Sequence, residues 1–133
     1  MSGAPFSFPI RVYWEDTDAG GVVYHASYVR FLERARTEWL RTLGMGQQDL
    51  RESQDLVLVV RAMQLDFHQP ARLDDELLAS VVVTERRNAS LLIEQVITRG
   101  DQALVRATVR VACLVASSFR PRGLPDWLAV DST

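Results

Sequence analysis

The chain predicts an α+β fold, with an antiparallel five-stranded sheet wrapped around one long central helix. Three observations lead there. One stretch alone, Tyr28 to Leu43, repeats its apolar residues at helical spacing. Five others are short, apolar and rich in Val, Ile and Leu, as strands are. The links late in the chain, such as Arg86-Arg87-Asn88 and Arg99-Gly100-Asp101, are short and polar. Short links join antiparallel neighbours, because parallel pairing needs a long crossover.

Ile10 to Trp14 (IRVYW) reads as the first strand, and a loop follows it. Ser27 then offers a helix cap, with Tyr28, Phe31, Leu32, Ala35, Trp39 and Leu43 on one face and Gly44 as the stop. Such a helix has about 16 residues and is roughly 25 Å long. Its other face carries Arg30, Glu33, Arg34, Glu38 and Arg41, expected to be solvated with an Arg34–Glu38 pair.

After the helix the period becomes two. Leu56 to Phe67 begins as a continuous run, LVLVV, then places Met63, Leu65 and Phe67 on one side. Leu77 to Thr84, Leu91 to Thr98 and Ala103 to Val115 complete the set. The last alternates cleanly, with Val105, Ala107, Val109, Val111, Cys113 and Val115 against Arg106, Thr108 and Arg110. The order is therefore β-α-β-β-β-β. One helix covers one sheet face, and the LVLVV run asks for burial on both, which a second copy of the chain would supply.

The length of 133 residues suits one domain, residues 1–133, with a real core. A net charge of −2 argues against a nucleic-acid or membrane surface. The N-terminal MSGAPFSFPI lacks the pattern of a signal peptide, and the longest apolar run, Val111 to Ala116, is far too short to span a membrane. The single cysteine, Cys113, reads as core, and the cytoplasm is the expected compartment.

The chemistry concentrates in Tyr13 to His25, YWEDTDAGGVVYH. Asp16, Asp18 and His25 are competent metal ligands, yet the only other histidine is His68 and no ligand set closes. Phosphoryl transfer through an Asp-x-Asp nucleophile needs an alternating parallel α/β domain. No G-x-S-x-G, P-loop or G-x-G-x-x-G occurs. What remains is a carboxylate beside a helix start, whose unpaired N–H groups suit an oxyanion. Gly20 and Gly21 let a substrate approach the backbone. On the residues alone, acyl chemistry and a purely structural turn both stay open, and His25 is either a hydrogen-bonded cap or a reactive group.

Arg11 to Leu40, RVYWEDTDAGGVVYHASYVRFLERARTEWL, closely resembles the signature of the 4-hydroxybenzoyl-CoA thioesterase family of hotdog-fold proteins. The branch it looks most like is the Tol–Pal-associated acyl-CoA thioesterases, and VVRAMQLDFHQPARLDD continues the similarity more weakly. The resemblance implies a hotdog fold, usually dimeric and often tetrameric, that hydrolyses acyl-CoA with no metal or organic cofactor. It implies Asp18 as the catalytic carboxylate and His25 as the group that orients or polarises the thioester carbonyl. Asp16 is expected to be a structural carboxylate, Glu15 solvated, and His68 without a role. Trp14 stands where related members often carry tyrosine, so a hydroxyl role there is lost or passes to Tyr13.

The expected substrate contacts are Tyr13, Trp14, Gly21, Val22, Tyr24 and Val60, with Tyr28 as packing. For the CoA phosphates the candidates are Arg61, Arg72, Arg86, Arg87, Arg120 and Arg122, with Arg87 and Ser90 preferred. An acyl carrier protein is a possible alternative acyl donor. Two competing functions remain: a non-enzymatic scaffold or acyl-binding protein of the Tol–Pal system, and a hotdog hydratase or dehydratase.

Overall fold

A computed structural model describes residues 5–44 and 46–131, and in it the alternation read in the last strand is realised. The strands are β1 (Phe6–Arg11), β2 (Leu56–Phe67), β3 (Glu76–Arg86), β4 (Ser90–Arg99) and β5 (Gln102–Val115). They form one antiparallel sheet in the order β1-β3-β4-β5-β2. Helix α1 (His25–Thr42) lays Tyr28, Phe31, Leu32, Ala35, Trp39 and Leu40 into a core shared with Ala79, Val81, Ile93, Ile97, Val109 and Cys113. Full burial of a side chain such as Phe31 or Leu32 contributes about 1.5–3 kcal/mol, so this stripe fixes the helix to the sheet. A polar tie adds to it: buried Gln95 on β4 donates to the Leu32 carbonyl at 3.2 Å and accepts from Arg36 at 2.9 Å. This is the hotdog arrangement that the sequence predicts.

Several elements differ from expectation. β1 ends at Arg11, and Trp14–Asp16 form a 3-10 turn because the Asp16 carboxylate accepts the Tyr13 N–H at 2.8 Å. α1 starts at His25, with Tyr24 as its N-cap. Ser27 lies inside the first turn, its hydroxyl donating to the Asp16 carbonyl at 3.2 Å and accepting from Arg30 at 2.7 Å. Gly44 does end the helix, at a positive φ of 95°. Leu40 takes the buried position expected of Leu43, which is exposed, and Glu38 pairs with Arg41 instead of Arg34. A second helix, α2 (Gln47–Gln54), was not anticipated, since its QQDLRESQ sequence buries Leu50 alone. It stops at Asp55, in the left-handed region and tied to Ser117.

β3–β4 and β4–β5 are hairpins, but β2 and β3 are not neighbours: the chain crosses from one side of the sheet to the other through residues 68–75. In β2 the register steps from Val60 opposite Val111 to Ala62 opposite Arg110. This bulge at Arg61 explains the change of parity in the sequence. It keeps Leu56, Leu58 and Val60 on the same side as Met63, Leu65 and Phe67.

The final segment packs Leu124 and Leu128 into the core. Arg86 holds it by donating to the carbonyls of Leu124 and Pro125, each at 3.0 Å, and of Leu128. Asp131 pairs with Val83, donating its N–H to the Val83 carbonyl at 3.0 Å and accepting the Val83 N–H at 2.7 Å. It thereby covers β3 beyond the end of β1.

Candidate active site

The loop from β1 to α1 is pinned from below by Asp16 and leaves Asp18 exposed above. Asp16 is 1% exposed and, besides its Tyr13 bond, keeps Oδ1 at 3.7 Å from the Arg30 guanidinium. That oxygen has no hydrogen bond among the described residues. The Asp16 carbonyl accepts the Tyr24 N–H at 2.8 Å and so sets where the helix begins. Asp16 is thus the structural carboxylate of the pair.

Asp18 is exposed, and its Oδ1 accepts the Gly20 N–H at 2.8 Å. Its own N–H donates to the Val22 carbonyl at 2.9 Å, and the Gly21 N–H returns to the Asp18 carbonyl at 3.0 Å. Gly21 sits at φ 82°, a conformation that favours glycine. The second carboxylate oxygen accepts no hydrogen bond among the described residues. Asp18 lines a cavity of about 540 Å³ together with Trp14, Thr17, Ala19, Gly21 and Leu73.

Tyr24 caps α1 without any side-chain hydrogen bond. The N–H groups of His25 and Ala26 find no protein acceptor among the described residues, so this helix start is open to an anion. The His25 ring packs against Tyr24, with centroids 4.4 Å apart.

His25 opens on a second cavity, of about 280 Å³, shared with Val23, Tyr28, Phe67, His68, Gln69 and Pro70. The Tyr28 hydroxyl accepts the Ala71 N–H at 3.0 Å, and burial pushes its phenol above the ordinary value. Among the described residues, Asp18 and His25 thus line two different cavities.

The remaining expected contacts are spread out. Trp14, 80% exposed, and Gly21 share the Asp18 cavity. Tyr13 and Tyr24 are exposed beside it in sequence, and Val22 is half-buried and bridged to Arg72. Val60 lines a third cavity, between α1 and β2. At the β3–β4 turn Arg87 is exposed and 3.4 Å from Glu85, whereas Ser90 is buried with its hydroxyl toward Arg110 at 3.4 Å.

Of the phosphate candidates, Arg86 is committed to the carbonyls of the final segment and Arg122 donates to the Gln54 carbonyl at 2.8 Å. Arg61, Arg72 and Arg120 are exposed. Sequence reasoning gave no role to His68 and Phe67, nor any to Leu73. Their signal was position alone, since Phe67 ends β2 and His68 and Leu73 lie in the crossing to β3, which helps line both cavities.

No described helix is long and apolar enough to cross a membrane. The family model described as Thioesterase superfamily matches residues 20–106. The chain is 51% identical to the acyl-CoA thioesterase YbgC of Haemophilus influenzae over 120 residues, covering 90% of this chain and 88% of that one. It is 47% identical to the acyl-CoA thioester hydrolase YbgC of Escherichia coli O157:H7, over 98% of both chains. Among solved structures, a probable thioesterase from Bartonella henselae superposes with a TM-score of 0.87 at 38% identity, over 92% of this chain and 100% of that one. An exposed aspartate ahead of an uncapped helix, on this sheet and with these relatives, leads to one assignment: the chain belongs to the thioesterase superfamily.

Proposed function

We propose that this protein is an acyl-CoA thioesterase that hydrolyses the thioester bond to a free acid and CoA. The observation that carries the reading is the pairing of a solvent-facing Asp18 carboxylate with an α1 start whose first N–H groups are free of protein acceptors. The names of the relatives, an acyl-CoA thioesterase and an acyl-CoA thioester hydrolase, support the substrate class.

In the proposed reaction the thioester carbonyl oxygen lies toward the His25 and Ala26 N–H groups, which stabilise the oxyanion as it forms. His25 orients or polarises that carbonyl. Asp18 either attacks the carbonyl carbon, expelling CoA thiolate and leaving an anhydride that water opens, or takes a proton from water that attacks directly. Both routes end in acid and thiol with Asp18 regenerated. Hydroxylamine separates them, because only the anhydride leaves a mark on Asp18. Since one chain keeps Asp18 and His25 in different cavities, the substrate is read as lying between two copies of a homo-oligomer. CoA, or an acyl carrier protein in its place, would run out past Trp14, and the compartment is read as cytoplasmic.

The test is release of free thiol from acyl-CoAs of varied chain length, followed by absorbance. Asp18→Asn should lower turnover at least about 100-fold with an unchanged circular dichroism spectrum. Full activity in that folded variant overturns the assignment of Asp18. Absence of thiol release by the native protein at every chain length would point to a scaffold, and hydration of a double bond without thiol release to a hydratase.

A further inference from the structure

Ser27 carries a buried hydroxyl, 1% exposed, in the first turn of α1, and the reaction as described makes no use of it. Its oxygen accepts an N–H of Arg30 at 2.7 Å, which leaves its single proton for the Asp16 carbonyl, 3.2 Å away. That carbonyl also accepts the Tyr24 N–H at 2.8 Å. Both of its lone pairs therefore serve the start of α1, one through the main chain and one through a side chain. Asp16 is itself held in place. Its carboxylate accepts the Tyr13 N–H at 2.8 Å, and its own N–H donates to the Tyr13 carbonyl at 3.0 Å. The helix start is thus tied to a buried, fixed point.

An ordinary cap would hold it differently. Ser, Thr, Asp or Asn at the N-cap position folds a side-chain oxygen over the helix end and accepts the N–H of the second or third helical residue. That oxygen then lies where a substrate oxygen would have to lie. Tyr24 takes the N-cap position with extended backbone, φ −64° and ψ 135°, and makes no side-chain hydrogen bond to α1. Of the four N–H groups at this end, that of Tyr24 goes to the Asp16 carbonyl and that of Ser27 to the Tyr24 carbonyl, each at 2.8 Å. His25 and Ala26 supply the two that remain. The side-chain bond that fixes the helix start comes from inside the first turn and leaves the end uncovered.

We propose that Ser27 is a positioning residue for the oxyanion site. Its hydroxyl, oriented by Arg30, anchors α1 on the Asp16 carbonyl in place of a cap, so the helix end stays open to the substrate oxygen. The inference rests on the thioesterase reading of the same site.

Steady-state thiol release and urea unfolding of the purified full chain test it. Ser27→Ala should lower kcat about tenfold and leave KM within about twofold, because the charge on the substrate oxygen develops only in the transition state. A pair of variants at the exposed Tyr24 remains readable should Ser27→Ala fold poorly. Tyr24→Ala and Tyr24→Ser both remove the ring and differ by one oxygen able to cap. Tyr24→Ser should unfold at the higher urea concentration, yet turn over about tenfold more slowly than Tyr24→Ala. Higher stability with lower activity is the reverse of what a merely structural helix start would give. A native chain that releases no thiol brings down the thioesterase reading and this inference with it. With an active native chain, the inference alone is overturned by a folded Ser27→Ala that keeps the native kcat, by a loss that falls on KM, or by a Tyr24→Ser as active as Tyr24→Ala.

Discussion

The Gly20 N–H reaches Asp18 Oδ1 at 2.8 Å, and a Cβ added at Gly20 would sit 3.2 Å from that same oxygen. The two glycines of the loop should therefore respond differently to alanine. At Gly20 the backbone is ordinary, so Gly20→Ala should change stability by less than about 1 kcal/mol. It should nevertheless displace the carboxylate and lower kcat about 10- to 100-fold. Gly21 has open space around its Cα but a φ of 82°. Gly21→Ala should cost about 1–2 kcal/mol of stability, read as a lower urea midpoint.

The two aspartates of the D-T-D stretch should separate by the same pair of measurements. Asp16→Ala removes the acceptor for the Tyr13 N–H and leaves Arg30 without its 3.7 Å partner. A loss of about 1–3 kcal/mol in chemical denaturation is expected. Asp18→Ala, on an exposed side chain, should leave the denaturation midpoint nearly unchanged while turnover disappears.

Arg86→Ala should loosen the end of the chain. It removes a charged donor shared by the carbonyls of Leu124, Pro125 and Leu128. A destabilisation of about 2–4 kcal/mol is expected, because hydrogen bonds to charged groups contribute about 1.5–3 kcal/mol each and water replaces part of them. Hydrogen exchange at the Leu128 and Asp131 amides should speed up before exchange in β4 and β5 does.

Asp75 gives a pH dependence with a definite sign. Burial opposes its ionisation. The Arg72 N–H at 2.8 Å and the Arg99 guanidinium at 2.7 Å outweigh burial and hold the carboxyl below its usual range. Its unfolded value is about 3.9, so its stabilisation is fully present above that and is lost as pH falls through the lower folded value. Asp75→Asn should be less stable than the native protein at neutral pH. The gap in urea midpoints should close as the pH drops below about 4. A gap that stays constant with pH would remove the ionised carboxylate from the account.

Where periodicity dominates, the fold was readable in the sequence. Val105 to Val115 alternates because one face of β5 is core, and Phe31, Leu32 and Ala35 mark the helix face that meets it. The start of α1 was misplaced because Ser27 looks like a cap, yet its hydroxyl is engaged with the Asp16 carbonyl from within the first turn. That bond joins residues eleven apart, and local spacing cannot reveal it. α2 escaped for the opposite reason, having a single buried residue and no stripe. At the site, Asp18 and its glycines were legible as a motif. The division of Asp18 and His25 between two cavities depends on where Phe67 and Leu73 land, which only the crossing from β2 to β3 decides.

Arg61 acts in its strand as a single inserted nucleotide acts in a message, except that here the shift is the correct reading. Removing that one residue would merely make the ladder continuous, with Ala62 still opposite Arg110 and Met63 still opposite Val109, so Met63, Leu65 and Phe67 would keep their side of the sheet. Removing a regularly paired neighbour such as Gln64 would instead turn Leu65 and Phe67 toward water and Asp66 toward the oily interior. Shortening the strand at Arg61 should therefore be absorbed with ease, whereas shortening it a few residues later should damage the molecule more than most single exchanges in its centre.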